Sequence, residues 1–199
     1  MNPIEQYVED RDTQVRFNMA DEQLKRRTDR YFEYLVATNY SKNFTYMGIP
    51  IIQLPSDLMV MQEIIWEVKP DYIIECGVAF GGMTVFYANM MNSYGKGKVL
   101  GIDIDPRQGN MDVIEKHPLR NHILITKGSS IDSWVVDAIR NFIPEGRKVL
   151  VSLDSCHSHE HVLQELRLYS PLVSVGSYVV VYDTAIEMFA PLEKNRPWG

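Results

Sequence analysis

Apolar positions fall into two regimes along the chain. Residues 4–38 are mostly polar and charged, with Leu24, Tyr31, Tyr34 and Leu35 at helical spacing behind Asp21, a residue suited to cap a helix N-terminus. The spacing predicts a helix over 21–38 with one apolar face, either packed on a domain or acting as a lid over a site. Residues 39–55 (NYSKNFTYMGIPIIQLP) read as irregular, because Pro50 and Pro55 interrupt regular structure. Three apolar residues and Gln53 lie between the prolines, so this arm is expected to be partly buried. A second helix follows, capped by Ser56 or Asp57. Leu58, Met61, Ile64, Ile65 and Val68 recur on one face of it, and Pro70 ends it.

Beyond Pro70 the pattern changes to short β-branched runs alternating with helical stretches. Strands are predicted at 72–75, 98–102, 123–126, 148–153 and 178–182, with helices at 81–91, 111–116, 133–141 and 160–169 between them. Such alternation indicates βαβ units: an α/β fold with a doubly wound, mainly parallel, Rossmann-like sheet covered on both faces. The organisation is therefore an N-terminal helical and irregular arm, 1–56, followed by an α/β domain, 57–199. In sheets of this kind ligands bind beyond the carboxyl ends of the strands.

Composition narrows the function classes. A chain of 199 residues with 45% apolar residues can bury the core of one domain. A formal net charge of −6 argues against nucleic acid as a partner. Cys76 and Cys156 do not amount to a disulfide framework. The opening MNPIEQYVEDRD lacks the basic and apolar regions of a signal peptide, and no apolar run is long enough for a membrane span. The expectation is a cytoplasmic protein with no membrane partner.

The candidate chemistry lies at the predicted strand ends. The first strand runs into Glu75-Cys76-Gly77-Val78-Ala79-Phe80-Gly81-Gly82, where small residues at 77, 79, 81 and 82 allow a backbone to turn tightly and approach a ligand. The Gly77-x-Ala79-x-Gly81 spacing departs from the dinucleotide fingerprint, and Glu75 would repel a pyrophosphate; both count against a nicotinamide dehydrogenase. Glu75 suits a cationic ligand end, such as the amino group of a methionine moiety. Asp103, at the end of the second strand, is placed to accept two ribose hydroxyls. In the 127–132 segment, Ser129 and Ser130 stand where an adenine edge would lie; alternatively Ser130 or Asp132 caps the next helix.

The densest cluster follows the fourth strand: Asp154-Ser155-Cys156-His157-Ser158-His159-Glu160-His161. The histidine spacing lacks a His-Glu-x-x-His pattern and a cysteine pair, which argues against zinc. Asp183, ending the fifth strand, comes next to Asp154 across the sheet, and two carboxylates suit Mg²⁺. His157 is then placed as a general base, while His159 and His161 read as solvated helix-start residues.

These motifs, with 57–63, 70–77, Gly81-Gly82, 101–105, 128–132, 153–161, 171–178, Asp183-Thr184 and 196–199, resemble the cephalosporin hydroxylase/rhamnosyl O-methyltransferase family over roughly residues 40–199. The resemblance implies a class I methyltransferase fold binding S-adenosylmethionine, with cofactor contacts at Glu75, Gly77, Ala79, Gly81, Asp103, Ser129, Ser130 and Asp154. It also implies Mg²⁺ on Asp154 and Asp183, His157 as base, and a sugar or small-molecule hydroxyl as acceptor. Two departures stand out. Tyr182 occupies a position where relatives with a metal site often carry Glu, with Glu187 as a substitute. The family also continues past the equivalent of Gly199 with strands that complete the sheet, so the expectation is a chain lacking its C-terminal strands, or an edge covered by a partner subunit in a homo-oligomer. A catalytically disabled relative that binds a nucleotide or a partner is the alternative function class.

Overall fold

The computed structural model describes residues 2–106 and 108–185, without the Gln108 side chain. Glu187 and the 196–199 motif lie outside the described residues. The chain divides into two compact units, Met1–Tyr40 and Ser41–Gly199.

The first unit is a pair of helices, α1 (Pro3–Met19) and α2 (Glu22–Ala37). Asn2 and Glu5 form a reciprocal capping box at the start of α1, which also has Pro3 in its first turn. Asp21 caps α2 by accepting from the Gln23 and Leu24 amides, as its position predicts. The sequence pattern does not reveal α1, because Arg11 interrupts the row formed by Ile4, Tyr7, Val8 and Val15. No residue of either helix is buried within this unit's environment.

The second unit holds a five-stranded sheet, entirely parallel: β3 (Tyr72–Cys76), β4 (Lys98–Asp103), β5 (Ile123–Lys127), β6 (Val149–Leu153) and β7 (Val179–Val181), in the order β5-β4-β3-β6-β7. The chain builds outward from β3 through β4 and β5, then returns to the other side of β3 with β6. The adjoining ends of β3 and β6 are therefore the switch point at which successive crossovers diverge. The connecting helices are α4 (Gly82–Ser93), α5 (Gln108–Glu115), α6 (Ser133–Phe142) and α7 (His159–Tyr169).

Two apolar layers sandwich the sheet. On one face Ile73, Val99, Leu150 and Ile123 meet α4 and the helix α3 (Pro55–Val68); on the other Ile74, Leu100, Ile102, Val151 and Leu153 meet α6 and α7. Strand alternation sends Ile73 and Glu75 to the α4 face and Ile74 and Cys76 to the opposite one. Each such fully buried aliphatic side chain contributes about 1.5–3 kcal/mol. Helix α4 is buried nearly all round from Gly82 to Ala88, and starts at Gly81, whose φ of +90° a side chain would strain.

The arm before α3 is more regular than its prolines suggest. β1 (Phe44–Tyr46) and β2 (Ile49–Ile51) form an antiparallel hairpin packed on α4, with Ile49 and Ile51 buried and Pro50 facing out at the edge. The Met47-Gly48 turn, both residues at positive φ, is the hairpin signal hidden by the prolines. The cap of α3 also differs from expectation: Leu54 is the N-cap and Pro55 the first helical residue, while Lys69 in the left-handed region ends the helix before Pro70. No described helix is long and apolar enough to cross a membrane.

The tightest constraint is at Gly77, where φ is +94° and an added Cβ would stand 2.1 Å from the Asp154 carbonyl oxygen. Gly77→Ala is expected to cost at least about 3 kcal/mol by denaturant unfolding, from backbone strain plus steric clash. Gly146→Ala, equally left-handed but with open space around it, should cost only about 1 kcal/mol.

Candidate active site

The glycine loop leaves β3 with Gly77, Ala79 and Gly81 all at positive φ. Asp103, at the end of neighbouring β4, holds this shape. Its Oδ2 accepts from the amides of Val78 (3.0 Å) and Ala79 (2.9 Å), and its Oδ1 from the Asp105 amide (2.8 Å). The strand end and the loop come together as the sequence suggests, but the carboxylate is engaged with backbone amides. An ionised carboxylate offers about four acceptor positions, so a diol would have to share Asp103 with the loop.

Glu75 lies beneath the loop and is 1% exposed. Its Oε2 accepts from the Thr84 hydroxyl on α4 (2.6 Å), and its Oε1 has no hydrogen-bond partner among the described residues. Burial pushes its pKa well above the usual carboxylate range; the Thr84 bond opposes this, and the charges of Asp154 and Asp103 add to it.

At the end of β6, Asp154 emerges across the switch point. It meets His157, in the loop before α7, and Asp183, just past β7: one ligand atom from each lies within 4.8 Å of the other two. His157 Nε2 is 3.3 Å from Asp183 Oδ2, with the His157 side chain 10% exposed and that of Asp183 47% exposed. This is the set of three that the sequence assigns to metal and base. His159 is exposed at the start of α7 and stands outside the cluster, as does His161.

Gln53 of the arm and Asp57 of α3 escaped the sequence reading as site residues. Gln53, 7% exposed, donates from Nε2 to Asp154 Oδ2 at 2.7 Å. Asp57, in the first turn of α3, feels the Asp183 charge, and burial raises its pKa. The signal for Gln53 was a lone amide in an apolar run between two prolines, since a buried amide needs a polar partner. Asp154 is raised well above the carboxylate range, first by burial and then by Asp183, with Gln53 opposing and Asp57 and Glu165 adding.

Tyr182 points its hydroxyl inward, 3.4 Å from that of Tyr87, which bonds Ser152 at 2.9 Å. Ser130 is buried, at 4% exposure. Its hydroxyl donates to the buried Glu165, and Asp132 holds the N-cap position of α6 without a side-chain bond. The capping alternative therefore fails for Ser130. Ser129 accepts a 3.4 Å bond from the Ile131 amide within the turn. Of the cysteines, Cys76 ends β3 and Cys156 lies in the loop past β6.

The architecture is that of a class I S-adenosylmethionine-dependent methyltransferase fold. Solved structures described as "cmcI-N160 SAH" (TM-score 0.52, 19% identity, covering 74% of this chain and 69% of that one) and "cmcI-D160 Mg-SAM" (TM-score 0.53, 18% identity, covering 77% and 66%) share it. The chain belongs to the rhamnosyl O-methyltransferase/CmcI family, whose model matches residues 38–199. A rhamnosyl O-methyltransferase of Mycobacterium tuberculosis (strain ATCC 25618 / H37Rv) is 38% identical over 149 residues, covering 71% of this chain and 57% of its own length. That of Mycobacterium leprae (strain TN) is 37% identical over 142 residues, covering 70% and 60%. The chain thus spans under two thirds of the length of these relatives.

The electrostatics give a testable consequence. Asp154 ionises at higher pH in the folded chain than at its ordinary value of 3.8. The folded state therefore binds more protons across that window, and stability from this group is lost as pH rises through it. Asp154→Asn is expected to raise Tm at pH 7 by about 2–4 °C, the shift that ~1 kcal/mol produces in a domain of this size. The advantage should vanish below pH 3.8. Thermal melts across pH check this; equal melting of both chains at pH 7 would refute it.

Proposed function

We propose that this chain is the catalytic portion of an S-adenosylmethionine-dependent O-methyltransferase, acting in the cytoplasm on a sugar hydroxyl, of which a rhamnosyl unit is the example that the relatives' names supply. The observation that carries this reading is the convergence of Asp154, His157 and Asp183 at the switch point, beside a glycine loop of methyltransferase type.

The residues fit the groups they would hold. Glu75 presents a buried oxygen that lacks a donor, which suits the amino end of the cofactor. Gly77, Ala79 and Gly81 keep the loop backbone open to close approach, and Asp103 would share its carboxylate between the loop amides and the ribose. Ser129 and the 128–132 backbone border the adenine side. Asp154 and Asp183 would supply hard oxygen donors, and burial already disfavours the negative charge of Asp154, which a cation would offset. When bound, the sulfonium donor supplies an activated methyl group, and the cation makes a coordinated hydroxyl more acidic.

The chain's own part is to orient and to move one proton. His157 accepts the acceptor's hydroxyl proton at Nε2, the atom that faces Asp183 Oδ2, and Asp183 balances the resulting imidazolium. Gln53 holds Asp154 in place through its 2.7 Å bond. Orientation provides most of the acceleration, because the methyl donor is already reactive. The same distances favour a second reading, in which His157 is a third metal ligand. The retained acid and imidazole set weighs against a disabled relative.

Titration calorimetry with S-adenosylhomocysteine, with and without Mg²⁺, is expected to give micromolar binding; no heat in either condition would overturn the proposal. His157→Ala should lower turnover on rhamnosides by about 10²–10⁴-fold, with cofactor and Mn²⁺ affinity within about twofold. Loss of Mn²⁺ binding in that variant would instead make His157 a ligand.

A further inference from the structure

Glu165 on α7 is fully buried, at 0% exposure, yet takes no part in the proton transfer outlined above. A charged side chain in such a place requires partners, and those it has come from two different loops. Its Oε1 accepts from the hydroxyls of Ser130, in the loop after β5, and Ser155 (2.6 Å), in the loop after β6. His161 Nε2 stands 3.3 Å from the same oxygen, 3.1 Å from Ser130 Oγ and 3.3 Å from Ser155 Oγ. Each serine hydroxyl has a single proton and gives it to Glu165, so the serine oxygens act as acceptors toward His161, which must carry its proton on Nε2.

His161, Glu165 and Tyr169 follow at i, i+4 and i+8 along one stripe of α7. Tyr169 donates to the Ser130 carbonyl at 2.7 Å. The stripe also reaches the last residue of β3: the Cys76 thiol, raised well up by burial first and then by the Glu165 charge, lies beside both Glu165 and Tyr169. One helix face thus meets the ends of three strands, immediately under the glycine loop, the Ser129 turn and the Asp154–His157 loop. An apolar layer at this place would serve stability at least as well. What a set of directional bonds adds is a fixed relation between the loops.

We infer that Glu165 is a positioning residue that locks the loop after β5 to the loop after β6, so that the cofactor side and the proton-transfer side of the site are set as one unit. The functional half of this inference rests on the methyltransferase reading; the mechanical half does not.

Hydrogen–deuterium exchange on the whole chain separates the two. Glu165→Gln keeps the shape and removes the charge. It is expected to raise amide exchange at least about tenfold in both 128–132 and 154–158, while the interior amides of β4 stay protected. Ser155→Ala should raise exchange mainly in 154–158. If Glu165→Gln does not fold, the Ser130→Ala/Ser155→Ala double variant takes its place with the same expected pattern. Unchanged exchange, a rise in one loop alone, or an even rise across the chain would overturn the inference. S-adenosylhomocysteine affinity should fall about tenfold alongside. If the unmodified chain binds none while the exchange pattern holds, the methyltransferase reading fails and the locking role stands. If affinity is normal and exchange unchanged, the locking role fails alone.

Discussion

The backbone of Gly77 passes so close to the Asp154 carbonyl that no side chain can stand between them, and the rest of the site depends on this approach. It is a consequence of topology. β3 and β6 are neighbours in the sheet but are separated by three helices in the chain, so their ends are brought together only when the whole sheet is assembled. The Asp154 amide then bonds the Cys76 carbonyl at 2.8 Å, fixing the start of one loop against the start of the other. From this seam the glycine loop turns one way, pinned by Asp103, and the Asp154–His157 loop turns the other.

The second organising feature is charge without compensation. Asp154, Glu75 and Asp57 are all raised by burial, and each also feels another acid. Packing alone does not call for such a group of acids, since burying like charges together opposes folding. On the proposed function, cationic ligands would offset this cost: an ammonium near Glu75 and a divalent ion at Asp154 and Asp183. On that reading the site would trade stability of the empty chain for affinity, as binding sites commonly do.

The parallel sheet was legible because its strands are buried on both faces and read as unbroken apolar runs. The acids at the strand ends were legible because a carboxylate directly after such a run has few structural uses. Three things were not. The hairpin at 44–51 was masked by Pro50, which reads as a breaker but is tolerated on an edge. Gln53 was invisible as a site residue because its partner lies 101 positions away. Ser130 was assigned to the ligand or to a cap because local sequence cannot reveal that Glu165, 35 residues later, turns inward to meet it. In the last two cases a long-range polar contact overrode a local preference.

Tyr182 can be understood on the same electrostatic terms. Its hydroxyl lies in a buried polar layer with Tyr87 and Ser152, on the same sheet face as Glu75. The charges of Asp154, Asp57 and Glu75 all reach it, and burial raises its pKa further, so it stays neutral at physiological pH. A carboxylate at this position would add one more negative charge to a group in which Asp154, Glu75 and Asp57 already resist ionisation. A phenol keeps a hydrogen-bonding oxygen beside Asp154 and adds no charge. On the proposed function, the tyrosine would therefore lower the charge that a cation held by Asp154 and Asp183 has to balance.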